Sequence, residues 1–186
     1  MNDIEKSFFE GYYFFEKNVG TQLGKNVINT YVNNVYNEIL TLMNNLNDFN
    51  GFKTNVNQLK GNIAEVWHSG TFNINAVARN SNNRTFVLKS NDFASVDIGS
   101  NFGNDYGLKY YKTGVNSAEQ QAKSIFEKFN EYQAKGGKDD LDKFISDRGF
   151  SIDDINKALY SGQYRIIPKE QLEEAVKFLE KKIAKE

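Results

Sequence analysis

The chain has no cysteine, one histidine and one proline in 186 residues. Without cysteine there is no disulfide framework, no thiolate metal site and no Cys-His nucleophile, and the composition is compatible with a reducing, cytoplasmic setting. A single histidine, His68, excludes the usual zinc sites. Its one-turn spacing from Glu65 could place the two on one helix face as a ligand and its partner, or His68 is an ordinary hydrogen-bonded or surface residue. No G-x-S-x-G elbow is present for a serine nucleophile. Apolar runs of about 18 residues are missing too, so no transmembrane helix and no membrane partner is expected. The N-terminal MNDIEKSFFEGYYFFEKNVG is interrupted by Glu10, Gly11 and Glu16 and lacks a basic leader with a small-residue cleavage site, so it does not read as a signal peptide. An excess of charge of one sign is also lacking: Lys and Arg number 23, Asp and Glu 24, for a net charge of -1. That balance argues against a broadly basic nucleic-acid binder while leaving room for a local basic surface.

What is present is apolar material and asparagine. Hydrophobic residues make up 39% and aromatics 14%, with 15 Phe and 10 Tyr, enough to outweigh the entropy of folding one domain. Stretches such as NNVYNEILTLMNNLNDFN fit an AT-rich coding genome, bacterial or phage.

Residues 3–17 and 21–47 read as a helical hairpin, the second helix carrying Leu23, Val27, Tyr31, Val35, Ile39 and Leu42 as its stripe. After the turn DFNGFK, Thr54 caps a helix over 54–68 with Val56, Leu59, Ile63, Val66 and Trp67 inward. Alternation of Phe72, Ile74, Ala76 and Ala78 with Asn73, Asn75 and Val77 predicts a strand over 71–79. Further strands are expected at 84–90, 93–98 and 106–112, the last pair joined through the hairpin turn GSNFGNDYG. A helix opened by Ser117 and Gln120 at capping-box spacing then runs to the glycines at 136 and 137. Beyond them come helices at 139–148 and 152–160, the latter opened by Ser151 and Asp154. A last helix starts at Pro168 with Leu172, Val176, Leu179 and Ile183 as its packing face. The plan is α+β or α/β: a small central mixed sheet of about four strands, flanked by helices. Its domains are 1–135, a hairpin plus α/β core, and 136–186, a C-terminal helical subdomain.

Chemistry concentrates in GNIAEVWH (61–68), SVDI (95–98) and DYGLKYYK (105–112). In order and spacing these resemble the core of the PD-(D/E)XK nuclease superfamily across residues 54–134. That resemblance implies a helix acid at Glu65, a strand Asp at Asp97, a lysine at Lys109 and a polar helix position at Gln121 or Gln120. It further implies Mg²⁺ or Mn²⁺ held by Glu65 and Asp97, and hydrolysis of a nucleic-acid phosphodiester. Carboxylate oxygens suit such hard cations, and an ammonium nearby can orient water or meet phosphate charge. The chain departs from the pattern at Gly107, where Glu, Asp or Gln is expected two residues before the lysine. Tyr110 and Tyr111 with Lys109, Lys112, Lys123 and Lys128 could stack bases and meet phosphates, or the rings could be core.

Each residue also admits a plainer reading. Glu65 lies nearly opposite the 59/63/66 stripe and reads as solvated, Asp97 as a turn residue, and Lys109 as an edge-strand lysine that discourages pairing. Two functions stay open: a metal-dependent nuclease, from a phage or mobile element, or a non-enzymatic interaction module for a protein partner or a second copy.

Overall fold

A computed structural model describes residues 3–19, 22–49, 55–89 and 93–184. The protein is α+β, with the order α1 (Asp3–Val19), α2 (Gln22–Asn47), α3 (Val56–Ala78), β1 (Thr85–Val87), β2 (Ile98–Ser100), β3 (Tyr106–Leu108), α4 (Gly114–Ala122), α5 (Ile125–Ala134), α6 (Leu141–Ser146), β4 (Tyr164–Ile166) and α7 (Leu172–Ile183). No helix among the described residues is long and apolar enough to cross a membrane. Thr54, the expected cap, and most of the DFNGFK turn lie outside the described residues, as does the side chain of Leu23.

The chain forms two compact units, one of residues 1–52 and 66–84 and one of residues 53–65 and 85–186. In the first, α1 pairs with α2 as expected. Phe8 and Phe9 meet Tyr36 with ring centroids 5.2 and 5.6 Å apart, and the Tyr36 hydroxyl donates to Glu5 at 3.1 Å. Against α2, the second half of α3 comes so close at Gly70 that a Cβ there would lie 2.5 Å from Leu42 Cδ1. Leu42 is the buried residue of the predicted α2 stripe, whereas Val27 and Tyr31 are exposed.

The strand expected at 71–79 is instead helix, continuous with 56–70. Phe72 is exposed while Ala76 and Val77, adjacent in sequence, are both buried, so burial does not follow the Phe72, Ile74, Ala76 and Ala78 face expected of the strand. Asn80 at φ +54° ends the helix: its N–H bonds Val77 O at 2.9 Å and that of Ser81 bonds Ala76 O at 2.8 Å, the double closure of a Schellman cap. The buried face of α3 is also turned from the one expected. Val56 and Trp67 are 78% and 52% exposed, while Ala64, Val66 and Ser69 are buried.

In the second unit the sheet runs in the order β1-β2-β3-β4, antiparallel twice and then parallel between β3 and β4. β3 is therefore an inner strand, so Lys109 at its end is not an edge-strand lysine. The turn between β2 and β3 is closed by Ser100, whose Oγ accepts from Asn104 N–H at 2.8 Å and donates to Asn104 O at 2.7 Å, with Gly103 at φ +82°. β4 was not expected; Gly107 pairs in register with Arg165 there.

Two helix predictions fail for one reason. The single helix expected over 117–135 breaks at Lys123-Ser124, and the one expected over 152–160 shrinks to a 3-10 turn at Ile152–Asp154. Ser124 and Ala158 form an antiparallel bridge, and Lys123 O takes Leu159 N–H at 2.8 Å, so tertiary pairing replaces helix hydrogen bonds on both sides. The caps follow: Thr113 rather than Ser117 opens α4, and Ser124 with Glu127 forms the capping box of α5. Ser117, expected as a cap, is fully buried. On α7 the packing face is again not the large apolar stripe, since Leu172, Val176 and Ile183 are exposed and Ala175 is buried. Small residues let α4 and α7 close up, Gly114 N–H donating to Glu174 Oε2 at 2.7 Å and Ser117 Oγ to Gln171 Oε1 at 2.8 Å. Phe144, at 1% exposure, centres a cluster with Ile125, Ile145 and Leu159.

Candidate functional site

The site begins in an apolar contact. Ala64 of α3, Ile98 of β2 and Leu108 of β3 form one buried cluster, with Val87, Tyr106, Tyr110 and Ile166 packed around it. Each of the three is the immediate chain neighbour of a predicted site residue: Glu65, Asp97 and Lys109. Burial of the small and branched partners thus draws three distant segments together and sends the polar neighbours to one region.

Asp97 is held by Leu108 N–H, which donates to Oδ2 at 2.6 Å, and by Lys109 Nζ at 3.4 Å from the same oxygen. Aspartate and lysine side chains are only 17% and 16% exposed. Both bonds fall on Oδ2, and Oδ1 has no hydrogen bond or ion pair among the described residues. Lys109 Nζ also lies 4.6 Å from the centre of the Tyr160 ring, a cation-π contact, and burial pushes the Tyr160 hydroxyl upward in pKa against the pull of the ammonium.

Glu65 is half-buried, contrary to the solvated reading, because the inward face of α3 is the one that includes Ala64. Burial, and then the negative charge of Asp97, push its pKa up to about 7, with Lys109 opposing. A carboxyl raised in the folded state stabilises the fold in full below the unfolded value of 4.5 and loses that contribution as pH rises through about 7. Discounted for partial exposure, the loss is on the order of 1–2 kcal/mol. Chemical denaturation of the metal-free protein at pH 5 and pH 8 checks this: the wild type loses that stability relative to Glu65→Gln, and parallel pH profiles for the two would refute it.

Gln121 is 2% exposed, and its Nε2 donates to Gly107 O at 3.1 Å, so its amide secures β3 from α4. Gln120 accepts from Lys128 at 2.8 Å. Burial lowers the pKa of His68. Tyr110 packs into the cluster, with Lys60 Nζ 5.9 Å from its ring centre, while Tyr111 is exposed. Lys123 and Lys128 both pair with Glu131, so these two lysines are engaged in structure.

The residues present suit a hard divalent cation of the kind that keeps much of its water. The Oδ1 of Asp97 and the carboxylate of Glu65, which has no hydrogen bond or ion pair among the described residues, offer two oxygen ligands. No group of three or more His, Cys, Asp or Glu positioned for a metal occurs among the described residues. Magnesium bound through one or two carboxylates plus substrate phosphate needs no third.

Sequence reading missed Tyr160, Gln163 and Arg165, all of which reach the sheet through or just before β4. Tyr164-Arg165-Ile166-Ile167 ahead of Pro168 is the short β-rich run that marks the strand. No family model matches the chain, and neither curated proteins nor solved structures give a match.

Proposed function

We propose that Glu65, Asp97 and Lys109 form a divalent-metal site of nuclease type that acts on phosphodiesters of nucleic acid. One observation carries the reading: the three residues singled out by their order in the sequence flank an apolar cluster that joins α3, β2 and β3. A helix acid, a strand Asp and a strand lysine are the parts that the resemblance to PD-(D/E)XK nucleases implies. Glu65 and Asp97 would hold Mg²⁺ or Mn²⁺, and such an ion, when bound, polarises a phosphodiester and acidifies water. Lys109, held by Asp97 and the face of Tyr160, keeps a positive charge fixed beside the carboxylates, where an anionic phosphate would meet it. Gln121 keeps the β3 backbone in place from below.

The test is cleavage of single- and double-stranded DNA and RNA with Mg²⁺ or Mn²⁺. Wild type should cleave at least one substrate, with Glu65→Gln and Lys109→Ala reduced about 10²-fold or more. Equal cleavage by all three proteins would remove the site.

A second reading, a non-enzymatic interaction module, is favoured by Gly107 and by exposed aromatics in the first unit. Tyr13 and Phe14 are exposed there, and the same unit has an apolar cavity of about 460 Å³ walled by Phe8, Tyr12, Val27 and Ile28. Absence of cleavage on every substrate would leave this reading standing.

A further inference from the structure

The place where the nuclease pattern expects Glu, Asp or Gln is occupied in space by another residue. A Cβ built on Gly107 would lie 2.7 Å from Gln163 Oε1, so this amide oxygen fills the position of the missing side chain. Gly107 and Lys109 share one face of β3 by strand alternation, which puts that oxygen over the face from which Lys109 projects.

Gln163 Oε1 is buried and has no hydrogen-bond partner among the described residues, an arrangement that is unfavourable unless something else satisfies the oxygen. The orientation of the amide is set from its other end. Nε2 donates to Ala94 O at 3.3 Å, and the turn at Gly162, φ +85°, delivers Gln163 to the start of β4, where its N–H bonds Tyr160 O at 3.2 Å. An amide with its nitrogen on a carbonyl presents its oxygen toward Gly107.

We propose that Gln163 supplies the third oxygen ligand of the metal site, in place of the side-chain ligand missing at position 107. This rests on the metal-site reading of Glu65 and Asp97. A neutral carbonyl oxygen is a competent ligand for Mg²⁺, Mn²⁺ or Ca²⁺, and it differs from a carboxylate in adding no charge. The glycine and the glutamine are then one exchange: the ligand has moved from β3 to the entry of β4, and the small residue at 107 makes room for it.

Mn²⁺ binding to the full chain, followed by the electron paramagnetic resonance of free Mn²⁺, tests the exchange without recourse to activity. Gln163→Ala should weaken binding about tenfold or more, and Gln163→Ala combined with Gly107→Asp should recover it, since the aspartate enters the vacated space at a backbone position without positive φ. Gln163→Glu, which keeps Oε1 and adds charge while exchanging the Nε2 donor to Ala94 O for a second oxygen, should bind more tightly than wild type and covers the case in which the alanine variant fails to fold. Unchanged Mn²⁺ affinity in Gln163→Ala and Gln163→Glu, alongside lost binding in Glu65→Gln and Asp97→Asn, would overturn the role of Gln163 and leave the metal site intact. Lack of saturable binding by the wild type, or binding indifferent to Glu65→Gln, would overturn both.

Discussion

Asp97→Ala should destabilise the protein by about 3–5 kcal/mol, more than a surface ion pair could account for. Two groups lose their acceptor at once: the Leu108 N–H, at 2.6 Å, and the Lys109 ammonium, at 3.4 Å. With the ammonium only 16% exposed, water compensates little, and an uncompensated charge is left against the Tyr160 ring. The double variant Asp97→Ala/Lys109→Met should therefore recover part of the loss, because it removes the stranded charge. Urea denaturation of the two variants decides this, and a double variant less stable than Asp97→Ala would refute it. Cleavage assays accordingly need Asp97→Asn, which keeps the side-chain volume and an acceptor for Leu108.

Phe144→Ala should cost about 3–5 kcal/mol, a large share of the 5–15 kcal/mol that holds a typical domain. The ring is 1% exposed and lies 5.7, 5.3 and 5.2 Å from the rings of Phe93, Phe129 and Tyr132. Arg148 stacks on it with Cζ 4.0 Å from its centre and donates to Phe144 O at 2.9 Å. Removing the ring takes away several packing partners and leaves a cavity that α5, anchored at its start by the Ser124 bridge, has little freedom to fill. Phe144→Leu should cost less than half as much. Denaturant titration of both variants gives the comparison, and equal losses would show that the site collapses rather than holding a void.

Legibility in the sequence followed interaction range. Helix periodicity in α1 and α2 and the β2-β3 turn were readable because residues a few positions apart decide them. The strand expected at 71–79 failed because Ala76, Val77 and Ala78 suit either period, and the Asn80 cap that resolves the ambiguity lies beyond the pattern. The break at Ser124 and the shortened helix at 152–154 arise from a bridge between residues 124 and 158, which no local window contains. β4 was missed for a related reason, since three residues signal a strand only when a neighbour such as β3 pairs with them. Among the candidate residues, Asp97 and Lys109 were found as types at a spacing, and their direct bond is a fact of pairing between β2 and β3. Glu65 was found from its order in the chain while its burial was misjudged, because large apolar side chains suggested a face that Ala64 and Val66 overrule. Gln163 could not be found at all, since its significance depends on what Gly107 lacks.

The cluster of Ala64, Ile98 and Leu108 also makes the site a sensor of its own integrity. The Leu108 amide proton points at the Asp97 carboxylate rather than at a neighbouring strand, so its exchange with solvent deuterium follows the side chain of a candidate ligand and not the opening of a ladder. An amide that reports on one carboxylate oxygen gives direct access, residue by residue, to whether anything is drawing on the other.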